Sequence, residues 1–172
     1  MASAVQLSLI TSREEVELLE AFAAEIWREH YPSIIGSDKV EYMLEKFQST
    51  EAILAQIEEG LQLFWITVEG KQAGYAAIKS QESPYLFVSK FYVHNTFRGR
   101  GIGRKAMQLL SSKAAEMLLN GLELTVNKNN DMAIHFYEAL GFQNVKAQKV
   151  AIGGGFYMDD YVMRLSRRNI PN

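Results

Sequence analysis

One stretch of the chain, residues 91–104, limits the possible ligands and local structure of this protein more than any other. It reads FYVHNTFRGRGIGR: an apolar strand end, a short polar loop, and then glycines interleaved with arginines. A helical pattern begins directly afterwards. Strand, glycine-rich turn and helix is how a chain presents backbone N–H groups to a phosphate, since glycine permits close approach and positive φ. The helix start adds about half a positive charge. The stretch therefore predicts a pocket for an anion with more than one phosphate.

Two other glycine motifs match this stretch less well. The dinucleotide fingerprint G-x-G-x-x-G is met at Gly99 and Gly101, but its third glycine would fall at Arg104. Glu123 lies at the position where that motif has an acidic residue, so the dinucleotide-binding motif is not fully excluded. The Walker pattern fails because Gly103 is followed by arginine. A tight turn with solvated arginines is the plain structural alternative.

The pattern that does match is R-x-x-G-x-G, at Arg98, Gly101 and Gly103. It resembles the pyrophosphate-binding signature of the GNAT superfamily of acetyl-CoA-dependent N-acetyltransferases. A second segment, residues 124–142, is similar to the family's N-x-x-A-x-x-x-Y-x-x-x-G-F pattern. Its matching positions are Asn130, Ala133, Tyr137, Gly141 and Phe142. The two segments together are much more specific than either one alone.

The resemblance implies a role for each matched position. The backbone of residues 98–104 would hold the pyrophosphate of acetyl-CoA. The backbone of residues 91–93 would pair with the pantetheine arm and polarise the thioester carbonyl. Asn130 would hydrogen-bond the cofactor, and Tyr137 would be the general acid that protonates departing coenzyme A. The cofactor-binding residues predicted in this way are Phe91, Tyr92, Val93, Arg98, Gly99, Arg100, Gly101, Ile102, Gly103, Arg104 and Asn130.

Each of the two side-chain assignments has a structural alternative. Asn130 can simply cap the following helix, and Tyr137 can be a core aromatic residue at helical spacing from its apolar neighbours. His94 is interpreted as a loop residue and His135 as lying on a solvated helix face.

The general base is left open by the sequence. An amine with a pKa of about 10 arrives protonated, so some group must remove a proton. The candidates are Glu29, Glu82, Asp159 and Asp160.

Composition narrows the class of protein. The 172 residues are 48% hydrophobic, which is enough for a sizeable core, and the net charge of −2 gives no electrostatic case for nucleic acid. Cysteine is absent, which excludes disulfides and thiolate ligands. The first ten residues do not form a convincing signal peptide, and no stretch is long enough to span a membrane. We therefore expect a cytoplasmic protein with no metal, no membrane partner and no nucleic-acid partner, and a homodimer is left open.

The charge is unevenly distributed along the chain. Residues 12–60 hold 4 Lys/Arg and 12 Asp/Glu, a net of −8, and the remainder holds 14 and 8, a net of +6. The simple explanation of this uneven charge is that exposed glutamates keep the helix surfaces in contact with water. A division between a basic cofactor half and an acidic half facing a cationic substrate is the functional interpretation.

Periodicity predicts the order β-α-α-α-β-β-β-α-β-α-β-β in one domain spanning residues 1–172. This is an α/β (α+β) fold with a central mixed sheet of about seven strands and helices on both faces. Strand, helix and strand around the glycine loop predict a parallel pair.

The resemblance implies an N-acetyltransferase that moves the acetyl group of acetyl-CoA directly to a primary amine. The chain is most similar to PaiA-type polyamine acetyltransferases, on its length and its ending at residues 156–163, so a polyamine is the predicted acceptor. The alternatives are another small amine, a protein N-terminus, or a non-catalytic acetyl-CoA-binding module.

Overall fold

The computed structural model describes residues 4–166, which form a mixed sheet of seven strands with six α-helices. The helices are α1 (Arg13–His30), α2 (Pro32–Ile35), α3 (Ser37–Gln48), α4 (Thr50–Glu58), α5 (Ile102–Glu116) and α6 (Asp131–Ala139). The strands are β1 (Val5–Leu9), β2 (Gln62–Val68), β3 (Lys71–Lys79), β4 (Tyr85–Val93), β5 (Gly121–Asn127), β6 (Gln143–Gly153) and β7 (Phe156–Ser166). The strand order is β1-β2-β3-β4-β5-β7-β6. The predicted mixed sheet is therefore confirmed.

The parallel pair predicted around α5 is present. Strand β4 pairs with β5 in parallel, from Tyr85 opposite Gly121 to Phe87 opposite Glu123. The β1–β2, β2–β3, β5–β7 and β6–β7 pairs are antiparallel. None of the helices between residues 4 and 166 is long and apolar enough to cross a membrane.

By its backbone packing the described chain divides into two compact units. The first comprises residues 4–78 and 90–106, and the second comprises residues 79–89 and 107–166. The first unit holds α1 to α4 with β1 to β3, the last residues of β4 and the start of α5. The second holds the start of β4, the rest of α5, and everything from β5 onwards.

The core of the first unit is formed by helices packed on buried strands. Strand β2 is buried at four consecutive residues from Leu63 to Ile66, as its uninterrupted apolar run predicts. One polar network lies inside this core: the fully buried Tyr75 hydroxyl accepts a bond of 3.2 Å from Trp27 Nε1 and donates one of 3.0 Å to Gln48 Oε1. Burial raises the pKa of Tyr75 well above its ordinary value, so it stays a neutral donor.

Several helix ends and turns depend on proline and glycine. Pro32 begins α2, a position that suits proline because the first N–H of a helix has no partner. Helix α3 is capped by Gly36 rather than by a side chain of Ser37 or Asp38. The β2–β3 turn is Glu69-Gly70, both with positive φ. Such a two-residue turn matches the twist of a hairpin.

The second unit holds the end of α5 and the last hairpin. Helix α5 ends at Glu116, and Leu118, with φ of 60°, takes a left-handed conformation just after it. Strands β6 and β7 form the predicted hairpin, and its two-residue turn is Gly154-Gly155.

Candidate active site

The loop that follows β4 is open in front of its glycines. A short 3₁₀ helix, Asn95–Phe97, comes first, and Gly99 and Gly101 then adopt φ of 79° and 75°. L-residues with side chains rarely take these angles, so glycine is required by the backbone itself. A Cβ built at either position would meet no atom within 4 Å. Both glycines therefore expose their backbone to an approaching ligand.

The start of α5 adds backbone donors to this loop. The Gly101 carbonyl accepts the first helical bond, from Lys105 N–H at 3.1 Å, so Gly101 is the N-cap residue. A glycine has no side chain with which to cap. The N–H groups of Ile102, Gly103 and Arg104 have no carbonyl four residues earlier within the helix. Donors of this kind, at the positive end of a helix, suit a phosphate group.

The loop and the first turn of α5 carry four basic side chains, and these make different contacts. Arg98 is half-buried, donates from Nε to the Val93 carbonyl at 3.2 Å, and places its Nη1 at 3.6 Å from Glu29 Oε2. It thereby ties the loop to the last residue of β4. The Arg100 guanidinium lies 5.5 Å from the centre of the Phe97 ring. Arg104 and Lys105 are exposed in the first turn of α5, where they add positive charge.

The end of β4 is held closely by the neighbouring strand β3. The His94 N–H donates to the Ala73 carbonyl at 2.8 Å. A Cβ at Gly74 would overlap the Tyr92 carbonyl oxygen, so Gly74 is needed for this approach. The backbone of residues 91–93, predicted to meet the pantetheine arm, is thus positioned by residues of β3 that the sequence did not single out.

Aromatic side chains line this end of the strand. Tyr92 packs 4.9 Å from Tyr75 and 5.5 Å from Trp27, and Trp27 lies 4.5 Å from Tyr31, measured between ring centres. Trp27 and Tyr75 are buried, whereas Tyr31 and Tyr92 are partly exposed. The first unit therefore offers aromatic surface beside the end of β4.

A histidine–glutamate pair lies at the same place. His94 Nε2 is 3.1 Å from Glu25 Oε1 of α1, and its ring packs 5.6 Å from the centre of the Phe22 ring. His94 is a loop residue, as interpreted, but its ring is held on several sides. Glu25 was not among the candidate bases, because only the fold brings α1 to the end of β4.

A buried lysine on β4 was also missed. Lys90 is 3% exposed, and its Nζ donates to the Phe47 carbonyl, near the end of α3, at 2.9 Å. Burial lowers the pKa of Lys90 to about 8. Alternation along β4, in which Leu86 and Val88 are buried, was the signal that could have found it.

Asn130 and Tyr137, the two side chains predicted to act on coenzyme A, both belong to the second unit. Asn130 is buried and caps α6, since its Oδ1 accepts from the Ala133 N–H at 3.4 Å. The capping alternative is confirmed, and contact with the cofactor stays a prediction. Tyr137 is buried on α6 with its ring 5.5 Å from that of Phe142. Its role as a general acid likewise stays a prediction.

The four carboxylates considered as bases have different surroundings. Glu29 faces Arg98, and Asp159 pairs with Lys128 at 3.0 Å. Asp160 is buried on β7, and Glu82 is exposed in the turn before β4. His135 is exposed on α6, as interpreted.

A family of known proteins matches most of this chain. The family model described as "Acetyltransferase (GNAT) family" matches residues 20–142, which is more than half of the chain. The chain belongs to the GNAT family of acetyltransferases.

Sequence relatives carry the same general description. An uncharacterized N-acetyltransferase of Lactobacillus delbrueckii subsp. lactis is 24% identical over 84% of this chain and 89% of its own length. The uncharacterized N-acetyltransferase YdgE of Bacillus subtilis is 31% identical over 37% of this chain. That match spans only 41% of the YdgE sequence.

Solved structures share the fold. The PaiA N-acetyltransferase of Thermoplasma acidophilum, in complex with coenzyme A, has a TM-score of 0.76 at 18% identity, covering 95% of this chain and 99% of its own. A GCN5-related N-acetyltransferase from Rhodopseudomonas palustris has a TM-score of 0.78 at 17% identity, with 96% of both chains covered. The α/β fold of this GNAT enzyme is therefore that of known acetyltransferases.

Proposed function

We propose that this GNAT enzyme transfers the acetyl group of acetyl-CoA directly to a positively charged primary amine, with a polyamine as the candidate acceptor. The observation that carries the proposal is the pair of α1 carboxylates, Glu25 and Glu29, that contact the residues following β4. Residues four apart on a helix lie on the same face, so the two carboxylates act on one region. That region directly follows the strand whose backbone is proposed to meet the thioester.

The surrounding residues support a cationic acceptor. The acidic helices α1, α3 and α4 belong to the segment with a net charge of −8. Some of this charge is neutralised locally, because Arg28 pairs with Glu41 and Arg13 pairs with Glu17 and Glu51. The aromatic faces of the partly exposed Tyr31 and Tyr92 attract cations within about 6 Å of the ring.

The loop after β4 has the features that coenzyme A requires. Open backbone at Gly99 and Gly101, the start of α5 and exposed basic side chains together suit a pyrophosphate. The ion pair and hydrogen bond of Arg98 assign its side chain mainly to holding the loop. When bound, acetyl-CoA supplies the thioester that is attacked.

The chain's own groups then assist the transfer. Backbone N–H groups at the end of β4 stabilise the negative charge that develops on the thioester oxygen, and each such donor contributes about 3 kcal/mol in comparable sites. Tyr137 donates a proton to the departing sulfur. A tyrosine with a pKa near 10 is a suitable donor to a thiolate whose conjugate acid has a pKa of about 8.5.

The proposal is tested by measuring coenzyme A release with spermine, spermidine, putrescine and a monoamine at low and high salt. We expect kcat/KM to rise with the charge of the amine and to fall with salt, because charges more than about 10 Å apart are screened at 0.1 M. A panel of amino acids, aminoglycosides and peptides runs alongside. Indifference to both charge and salt, or faster turnover of a peptide N-terminus, would remove the polyamine assignment.

Two double variants of α1 test which carboxylates cause the dependence of kcat/KM on the charge of the amine. Replacing Glu25 and Glu29 with glutamine removes two charges next to the end of β4. Replacing Glu14 and Glu17 with glutamine removes the same charge from the first turns of the same helix. We expect only the first double variant to lose the dependence on amine charge.

A further inference from the structure

The pair formed by His94 and Glu25 has no role in the transfer as described so far. Its place is well defined, because His94 directly follows the last residue of β4 and its N–H is bonded to the Ala73 carbonyl. The His94 side chain is only 15% exposed, whereas that of Glu25 is 67% exposed. A fixed imidazole therefore meets a carboxylate that solvent and ligands can reach.

The contacts of the imidazole determine which nitrogen carries its proton. The Thr96 N–H donates to His94 Nδ1 at 3.2 Å, and the Thr96 hydroxyl oxygen lies 2.9 Å from the same nitrogen. A backbone N–H can only donate, so Nδ1 must be the acceptor. The neutral ring then has its proton on Nε2, which faces Glu25 Oε1 at 3.1 Å. Thus His94 donates a hydrogen bond to the Glu25 carboxylate.

This arrangement favours Glu25 over His94 as the proton acceptor, because Nδ1 of His94 is occupied by its contacts with Thr96, whereas the Glu25 carboxylate is exposed. Glu25 accepts from His94 with one oxygen, which leaves the other oxygen outside this pair. The charged residues that follow Glu25 on the same face of α1 are Arg28 and Glu29, three and four positions on. Arg28 is paired with Glu41, and Arg98 is close to Glu29.

We infer that Glu25 is the catalytic residue that binds the ammonium group of the acceptor and removes its proton, with His94 as its positioning residue. The inference rests on the proposed transfer to an amine. Of the two protons that the ammonium loses, the first passes to Glu25 and from there to solvent. The nitrogen lone pair then forms the bond to the carbonyl carbon and the carbon–sulfur bond breaks. The second proton balances the one that Tyr137 gives to the sulfur.

The decisive measurement is kcat as a function of pH for wild type, Glu25→Gln and Glu14→Gln, with the amine that the wild type acetylates fastest in the panel. Without the carboxylate, turnover depends on amine that is already neutral, a fraction that rises about tenfold per pH unit below a pKa near 10. We expect Glu25→Gln to lose about 100-fold or more in kcat near neutral pH and to recover as pH rises. Glu14→Gln, an exposed change in the first turn of the same helix, should follow the wild type.

The positioning role is tested by two variants of His94. Glutamine keeps an N–H donor near the place of Nε2, whereas alanine removes it. We expect His94→Ala to lose about tenfold in kcat, as for a lost bond to a charged group, and His94→Gln to regain most of it. Equal losses in both variants would show that the ring matters only for packing.

Each remaining outcome distinguishes this inference from the function on which it rests. If the wild type acetylates an amine while Glu25→Gln keeps its kcat and pH profile, Glu25 is not the base and the proposed transfer stands. If the loss in Glu25→Gln is confined to KM, the residue binds the amine without taking its proton, which also overturns the assignment. If the wild type acetylates no amine in the panel, the proposed transfer fails and the role of Glu25 fails with it.

Discussion

Two strands of the sheet, β4 and β5, each lead into a helix, and the two junctions are built differently. After β4, glycines with positive φ lead to a helix whose N-cap residue has no side chain. After β5, the Asn127 side chain accepts from the Asn129 N–H at 2.9 Å, and Asn130 caps α6. The second junction uses its own side chains to satisfy backbone donors, while the first has no side-chain cap, which is the arrangement that we propose for binding a phosphate. The same kind of strand-to-helix connection is thus completed differently by the local residues.

In the proposed transfer the first junction binds the phosphates of acetyl-CoA, and Tyr137, on the helix after the second junction, is the general acid. Tyr137→Phe should therefore lower kcat by about 100- to 10,000-fold with little change in acetyl-CoA affinity, because the hydroxyl acts only during the transfer. Steady-state kinetics and calorimetric binding measure the two quantities. Tyr157→Phe, an exposed tyrosine on β7, is the matched control. Near-normal turnover of Tyr137→Phe would place the proton donor elsewhere.

Lys90, on the strand that leads to the first junction, gives a prediction for stability against pH. Its pKa is about 8 in the folded protein and 10.5 ordinarily, so the cost of burying its charge is fully present below pH 8. Between about pH 8 and pH 10.5, Lys90 is protonated in the unfolded chain but neutral in the folded protein. The free-energy cost of burying it therefore falls as pH rises through this range. Lys90→Met removes the group. The stability of the variant relative to wild type should decline by about 2 kcal/mol between about pH 7 and about pH 9.5.

Urea unfolding of both proteins at the two pH values measures this difference directly. The comparison between variant and wild type cancels the titration of the other groups. A difference that does not change with pH would mean that Lys90 keeps its ordinary pKa in the folded protein.

At the second junction, loss of the side-chain cap should have a modest effect on stability. Asn130→Ala removes the bond to the Ala133 N–H and should lower the free energy of unfolding by about 1 kcal/mol. Asn129→Ala, whose backbone N–H keeps its bond to Asn127, should cost much less. If Asn130 also contacts the cofactor, only its variant will weaken acetyl-CoA binding. Equal stability of the two variants would contradict the capping role.

The two junctions also show what the sequence could and could not predict. The loop after β4 was found from the sequence because its strand end, glycines and helix start are contiguous. The Asn130–Tyr137 segment was found in the same way, from a pattern of residues close together in the chain. The Glu25–His94 pair joins residues that are distant in the chain, and no local pattern links them. The burial of Lys90 was missed although alternation along β4 indicates it, because a lysine at a buried strand position opposes the usual rule for charged residues.

Helix ends are harder to predict from the sequence than the helices and strands themselves. Ser37 and Asp38 are residue types that commonly cap helices, yet the N-cap position of α3 is Gly36, with φ of 86° and no side-chain hydrogen bond. The left-handed residue that ends α5 is Leu118, although a glycine follows shortly after. These choices depend on how each helix packs, which propensity alone does not contain.

We propose that the backbone of the loop after β4 binds the phosphates of acetyl-CoA. Calorimetric titration of acetyl-CoA into Gly101→Val and Gly70→Val tests it most directly. Both glycines have similar positive φ and open space around them, but Gly70 lies in the β2–β3 turn. We predict that folded Gly101→Val loses about 100-fold or more in affinity, the equivalent of one or two charge-assisted bonds, while Gly70→Val binds like wild type. Wild-type affinity in folded Gly101→Val would contradict the claim.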